Sequence, residues 1–370
     1  MVKLSGKITL VSQDDILDKA DPCGSKTYVT NLVKYYTNIG LEVYYIGIIT
    51  HLENNPYSNL KVSQIFKRQV STTKFIFFLL LKSLFLKIPM DSVIHAQKPL
   101  ELLPFLLRKN KKILTLHGPE LKRVRFKKGK LFNFFYAIAE KVVLKKSNKI
   151  ISVDIGTYHY YVNEYPFLKD KMDIVPIGID TEKFKPFNKI SQRVNLNLKT
   201  DDKIIIFVGR LEKEKNVKFL IDAFEIVNKK IENTTLLLIG KGNCKTELIN
   251  YMKSKKVQNI IFKGEVPNEI IPRFLSSANV LALCSVYEGS PTVIKEALAC
   301  NTPVVSLDIG DVKAVLNDFE NSYISKRDIT DFADKIIKVL TNDKIIDYSI
   351  PIKQYSNNVI AQKTLEIYKN

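Results

Sequence analysis

Glu288 and Glu296, with seven residues between them in the stretch Val280–Leu307 (VLALCSVYEGSPTVIKEALACNTPVVSL), are the side chains whose types and spacing most clearly suggest chemistry. The apolar run before Cys284 predicts a strand, and Glu288, Gly289 and Ser290 then fall in a loop. A helix is expected to start at Pro291, with Ser290 as its N-cap, because proline suits the first helical position and serine the cap. Val293, Ile294, Ala297 and Leu298 form its expected buried face, Asn301 closes it and Pro303 prevents its continuation. The free N–H groups of Thr292 and its neighbours, together with the helix dipole, make an anion site suited to a diphosphate. Glu296, one turn further on, would accept hydrogen bonds from paired hydroxyls such as those of ribose, while Glu288 would face whatever the diphosphate carries. An arbitrary pair of glutamates is ordinarily solvated surface. The strand, loop and capped helix set this pair apart.

Parallel sheets covered by helices must position that loop. Short β-rich runs alternate with helical patterns along the whole chain. Lys7–Ser12 reads as the first strand. A polar loop containing Asp21, Pro22 and Gly24 precedes a helix with Val29, Leu32, Val33 and Tyr36 on one face, ended by Gly40. Strands are expected at Leu41–Ile49, Ser92–Ala96, Lys112–Leu116 and Lys149–Val153. Leu131–Ser147 is expected to be a helix that turns Leu131, Phe134, Phe135, Ile138 and Val142 inward. The alternation pauses in a Pro- and Gly-punctuated linker, VPIGIDTEKFKP, and resumes with strands at Lys203–Val208, Thr235–Ile239, Asn259–Lys263 and Val280–Cys284. Two doubly wound domains joined near residue 180 follow, and ligands of such sheets bind beyond the carboxyl ends of the strands. Gly240-x-Gly242 follows a strand but has Lys245 where a third glycine would stand, so it fails as a dinucleotide fingerprint and argues against a redox enzyme.

EGSPTVIKEALACNTPVVSLDIGD resembles the E-x7-E motif of retaining glycosyltransferases of family 4 (glycosyl transferases group 1), departing at Asn301 and Asp311, where glycine is more usual. The resemblance implies an α/β GT-B fold, two Rossmann-like domains facing across a cleft. Residues 1–180 would bind the acceptor and 181–350 the donor, with 351–370 forming a helix that packs back on the first domain. It implies that Ile206–Asn216 (IFVGRLEKEKN) is the family's strand-end phosphate motif, in which Arg210 and Lys215, beside Gly209, bind the donor diphosphate. A guanidinium and an ammonium there would stabilise charge on the departing phosphate. Gly289, Ser290, Pro291 and Thr292 would contribute to the same donor site, and Glu265 and Val266 would hold the nucleotide base. Gly24–Ser25 matches a small-residue turn near the donor phosphate or acceptor, although the family's paired glycine is reduced here to one. His117, ending the strand KILTLH, matches a histidine near the transferred sugar. The implied reaction moves a sugar from a UDP- or GDP-linked donor to a hydroxyl of a glycan or lipid-linked acceptor, with retention and without metal or other cofactor. A sugar-nucleotide epimerase or phosphorylase of the same fold, and a basic binding protein with a decayed site, are the rival readings.

Composition fits this frame. The chain has 370 residues, of which 26% are charged and 45% hydrophobic, as in a globular protein of two domains. Its start shows no secretory signal, and Cys23, Cys244, Cys284 and Cys300 have no zinc-like spacing, so a cytoplasmic location is expected. Phe75–Ile88 (FIFFLLLKSLFLKI) is interrupted by Lys82 and too short to span a bilayer, which leaves a buried or an interfacial helix. The net charge of +19 is concentrated between Arg108 and Lys149, opposed there only by Glu120 and Glu140. No nucleic-acid motif accompanies it, so an anionic membrane surface or a phosphate-bearing acceptor is the expected partner.

Overall fold

The structure is a computed structural model that describes residues 6–18, 24–121, 129–342, 344 and 346–370. Asp21, Pro22 and Cys23, and the basic run from Lys122 to Lys128, lie outside the described residues. The chain divides into two compact units, Met1–Gly178 with Asn357–Asn370, and Ile179–Ser356.

The first unit contains strands β1 (Lys7–Ser12), β2 (Glu42–Ile48), β3 (Leu60–Phe66), β4 (Val93–Ala96), β5 (Lys112–Leu116), β6 (Lys149–Ser152) and β7 (Met172–Ile174). They form a 7-stranded sheet in the order β3-β2-β1-β4-β5-β6-β7, and every pairing is parallel. Its helices are α1 (Gly24–Asn38), α2 (Thr72–Ser83), α3 (Pro99–Leu102), α4 (Lys130–Lys146), α5 (Ile155–Glu164) and, after the chain returns from the second unit, a last helix at Asn357–Lys369. Two apolar layers cover the sheet. On one face α1 and the last helix pack with Ile8, Leu10 and Val43. On the other, Phe75, Ile76 and Leu79 of α2 share a core with Val143 and Leu144 of α4 and with Val11, Ile94 and Leu114.

The orientation of α4 corrects the sequence expectation. Leu131 (72% exposed), Phe134 (62%), Phe135 (61%), Ile138 and Val142 all face solvent, and the buried positions are Tyr136, Glu140, Val143 and Leu144. Tyr161 holds the buried Glu140 with an O–H···Oε1 bond of 2.9 Å. The apolar periodicity is real, but hydrophobic spacing identifies a stripe without saying what covers it. The Phe75–Ile88 stretch divides in the same way: Phe75, Ile76 and Leu79 are buried, while Phe77, Leu81, Leu84 and Phe85 are exposed. No helix among the described residues is long and apolar enough to cross a membrane.

The second unit contains α6 (Lys189–Asn195), α7 (Val217–Lys230), α8 (Lys245–Ser254), α9 (Ile271–Ser277), α10 (Thr292–Ala299), α11 (Val312–Leu316) and α12 (Ile329–Leu340). Its strands are β8 (Lys203–Val208), β9 (Thr234–Ile239), β10 (Ile260–Gly264), β11 (Val280–Leu283), β12 (Val304–Leu307) and β13 (Tyr323–Ser325), and the last helix of the chain becomes α13. They form a 6-stranded parallel sheet in the order β10-β9-β8-β11-β12-β13. Ile204–Phe207, Leu236–Leu238 and Val280–Leu283 are buried, as expected of strands covered on both faces. In each sheet the strand order reverses direction once, at β1/β4 and at β8/β11, and the loops leaving those strand ends are where such folds bind ligands.

Candidate functional site

In the second unit the loop after β8 and the loop after β11 leave neighbouring strands and are stitched together. Val286 N–H donates to Glu214 O at 2.8 Å, and the Cys284 thiol reaches the carbonyls of Lys215 and Asn216 at 3.2 and 3.3 Å. Asn216, in the left-handed conformation (φ 52°), ends a tight turn at Lys213–Lys215 and leads into α7. This stitching brings the Lys215 ammonium into direct contact with a Glu288 carboxylate oxygen, to which the Ser285 hydroxyl also donates at 2.9 Å. Both charged side chains are largely covered. Arg210, from the same loop, is exposed and pairs with Glu214 at 3.1 Å. The structure thus places Lys215 and Glu288 in one cluster, with Arg210 standing outside it.

Glycines make the close approach of these loops feasible. Gly209 follows β8, and a Cβ on Gly240 (φ 138°) would lie 1.9 Å from its carbonyl oxygen. A Cβ on Gly242 would lie 2.4 Å from Leu211 O. The pair that fails as a dinucleotide fingerprint therefore packs backbone against backbone on the Gly209–Leu211 segment. Glu265, at the end of the adjacent strand, is exposed and pairs with Lys241 at 2.8 Å, and Val266 packs partly against the core.

Helix α10 differs from expectation at its first turn. It starts at Thr292, and Pro291 is the N-cap residue, with no side-chain cap. Ser290 is engaged elsewhere: its hydroxyl donates to Asp311 Oδ2 at 2.6 Å and accepts from Lys295 Nζ at 2.9 Å. Lys295, on the buried face of α10, also contacts Asp311 Oδ2 at 3.2 Å, and its ammonium lies 5.4 Å from the Tyr355 ring centre. This Ser290–Lys295–Asp311 cluster was missed from the sequence. Asp311, noted only as a departure from the family's glycine, was the available signal, since a buried lysine requires an acidic partner. The neighbouring Gly310 (φ 54°) presses on the turn, because a Cβ there would lie 1.9 Å from Gly289 O and 2.7 Å from Glu288 O. Asp311 N–H donates to Gly289 O at 3.1 Å. The single loop after β12 thus fixes the backbone of Glu288–Ser290 from that side.

Glu296 is partly covered on α10, one turn from Thr292. Burial pushes its carboxyl pKa up, and a hydrogen bond with the Thr292 side chain and the nearby Lys183 ammonium oppose that shift. A carboxylate held in such a position gains from hydroxyl donors that replace the lost water.

In the first unit the carboxyl ends of β1, β4 and β5 meet through side chains. Glu101 accepts from Gln13 N–H at 3.0 Å and Gln97 N–H at 3.2 Å, and burial lifts its pKa to about 7. His117 Nε2 lies 3.0 Å from Gln97 Oε1, and the His117 ring meets the Tyr28 ring edge-on at 5.5 Å. His95, given no role from the sequence, is fully buried between Tyr368 Oη (2.5 Å) and Thr115 Oγ1 (2.7 Å). Burial, with the nearby His117, lowers its pKa to about 3. Gly24 opens α1 on an exposed turn beside Ser25, and Ile177 lies within contact of the space a Gly24 Cβ would take.

Among the described residues, no group of three His, Cys, Asp or Glu side chains is arranged to hold a metal ion. Comparison with known proteins places the chain in a populated neighbourhood. Residues 188–355 match the model "Glycosyl transferases group 1", and residues 22–183 match "Glycosyltransferase Family 4". The chain is 27% identical over 253 residues to the UDP-Gal:alpha-D-GlcNAc-diphosphoundecaprenol alpha-1,3-galactosyltransferase of Escherichia coli, covering 66% of this chain and 63% of that protein. It is 25% identical over 248 residues to the capsular polysaccharide biosynthesis glycosyltransferase CapM of Staphylococcus aureus, covering 65% and 64%. The chain therefore spans less than two thirds of the length of these relatives. Sucrose-phosphate synthase from Thermosynechococcus elongatus superimposes with a TM-score of 0.76 over 98% of both chains at 20% identity. Anabaena HepE in complex with UDP and glucose does so with a TM-score of 0.72 over 98% of this chain and 99% of that one, at 14% identity. These likenesses show the GT-B fold.

Proposed function

Because the chain belongs to the group 1 and family 4 glycosyltransferases, we propose that it transfers a sugar from a UDP- or GDP-linked donor to a hydroxyl of a glycan or lipid-linked acceptor, with retention at the anomeric carbon. The observation that carries this reading is the Lys215–Glu288–Ser285 cluster, built by two loops at the β8/β11 reversal and followed directly by α10. Support comes from a matched transferase whose name specifies UDP-Gal and a diphosphoundecaprenol acceptor, and from the HepE complex with UDP and glucose.

In this reading Arg210 and Lys215 neutralise the donor diphosphate, beside Gly209 and the first N–H groups of α10 at Thr292. Their charge stabilises the leaving nucleotide, and no resident metal is needed. Glu296 accepts from the ribose hydroxyls. Glu288, oriented by Ser285, contacts the transferred sugar and is released from Lys215 as the phosphate takes over that ammonium. It is not assigned as a covalent nucleophile; the acceptor hydroxyl attacks from the side of the leaving phosphate, which takes its proton. Glu265 and Val266 bracket the base. His117, held by Gln97, and the Gly24–Ser25 turn serve the sugar and acceptor from the first unit. We place the reaction at the cytoplasmic face of an anionic membrane, held by the basic region from Arg108 to Lys149.

The test is product analysis over a panel of nucleotide sugars. UDP or GDP should appear only when an acceptor is present, and a product retaining the donor's anomeric configuration should accompany it. Conversion of the nucleotide sugar without an acceptor would indicate an epimerase, and phosphate-dependent release of a sugar phosphate would indicate a phosphorylase.

A further inference from the structure

The outward stripe of α4 has no partner within the described chain, and it is not alone. Phe77 and Leu81 of α2, Leu84 and Phe85 (85% exposed) just after it, and Leu107 (100%) are equally uncovered. These residues share a side of the molecule's first unit. Helices α2 and α4 pack through their inner faces on the same face of the sheet, and α3 touches both. Arg108 donates from Nη2 to Ser83 O at 2.8 Å and Leu86 O at 3.0 Å, which pins the turn carrying Leu107 to the end of α2. The outer faces of both helices therefore look away from the sheet together.

Exposed charge on the segments that carry this apolar face is basic. Lys74, Lys87, Lys109, Lys141, Lys145 and Lys146 are exposed on the same elements. Glu101, Glu120 and Glu140 are buried, and the exposed acids of this side, Asp91 (paired with Lys7 at 3.2 Å), Glu164 and Asp170, stand on other segments. Two copies of such a face would bring lysines against lysines, which opposes self-association. Nucleic acid offers phosphate but nothing to cover a stripe of Leu, Ile, Val and Phe. A surface with phosphate at its rim and hydrocarbon beneath meets both demands.

We propose that the outer faces of α2 and α4 form an interfacial insertion surface for an anionic lipid bilayer: Phe134, Phe135, Leu84 and Phe85 enter below the headgroups, and the surrounding lysines pair with lipid phosphate. This deepens the membrane contact proposed above while standing apart from the transfer reaction, because it uses none of the donor-site residues. It also converts a purely electrostatic attraction into one with an apolar component that salt does not screen.

The chain contains no tryptophan, so a single Phe134→Trp substitution gives an unambiguous optical reporter. With the full chain carrying it, vesicles of phosphatidylglycerol should shift the tryptophan emission to the blue, whereas phosphatidylcholine vesicles should produce little change. Sedimentation of the otherwise unchanged chain with phosphatidylglycerol vesicles should persist in part at high salt. The Phe134→Ser/Phe135→Ser and Leu84→Ser/Phe85→Ser variants, whose altered positions are exposed and whose circular dichroism should match the parent, should each lose about ten-fold or more in partitioning. Parental partitioning by both variants, complete loss of binding in salt, or an unshifted emission from the Phe134→Trp chain would overturn the proposal. So would a dimer seen by light scattering that these substitutions dissociate. Stabilisation by UDP or GDP, measured without vesicles, should be the same in parent and variants. Vesicle binding by a chain that no nucleotide stabilises would support the surface and remove the proposed reaction.

Discussion

Lys215 and Glu288 are in direct contact, so each orients the other in the candidate site. The pair also means that removing either leaves a largely covered charge without its partner. Lys215→Ala should therefore lower kcat/KM by about 100- to 1,000-fold, the range seen when one stabiliser of developing charge is lost, in a steady-state assay of nucleotide release. Glu296→Gln keeps the shape but weakens the acceptor, and should raise the KM for the nucleotide sugar with kcat less affected. Unchanged KM in that variant would remove Glu296 from the ribose. The buried Lys295–Asp311 pair makes a different prediction. Lys295→Met should destabilise the chain by about 3–5 kcal/mol in a denaturant titration, because Asp311 is left uncompensated, and adding Asp311→Leu should restore most of the loss.

At the scale of elements, the strands were legible because parallel strands covered on both faces are written as continuous apolar runs, as in Ile204–Phe207 and Leu236–Leu238. The loop before α10 was legible as a loop because Pro291, a residue suited to a helix start, falls immediately before Thr292. What the sequence hid was the environment on each side of an element. The stripe on α4 has the spacing of a core face, and Lys295 lies next to Glu296 with nothing local to say that one is buried against Asp311 and the other only partly covered. The pairing of Lys295 with Asp311 crosses from α10 to the loop after β12, so it depends on sheet order and not on period. The same loop supports a test: Gly310→Ala should cost at least about 1 kcal/mol, since its backbone is left-handed and the Gly289 carbonyl occupies the space of a side chain. Its effect on kcat should exceed that of an equally destabilising change on α12, measured at a temperature where both proteins are folded.

At the scale of the whole molecule, α13 belongs to the first unit although the second unit precedes it in sequence. Tyr36 donates to Ala361 O at 3.3 Å, Tyr28 and Thr364 meet at 3.3 Å, and Lys111 donates to Tyr368 O at 3.0 Å. His95 closes this contact as a neutral ring, because its folded pKa of about 3 lies below the usual 6.5. Between those values the unfolded chain binds the extra proton, so stability from His95 is present above pH 6.5 and is lost as pH falls toward 3. One such proton gives a slope of about 1.4 kcal/mol per pH unit. A His95→Gln variant should show a shallower loss of stability than the parent between pH 6.5 and 5 in thermal melts.

The return of α13 also makes the two units unequal in what they need to fold. Ile179–Ser356 is a single uninterrupted stretch with its own core, drawn from residues between Ile179 and Tyr355. The core that includes Ile8, Leu10 and Tyr36 is incomplete until Ile360, Ala361 and Tyr368 arrive. The second unit can therefore close its core without the rest of the chain, whereas the first cannot close its own without residues that follow the second. A released chain ending at Ser356 should present a protease with a finished second unit and an unfinished first one.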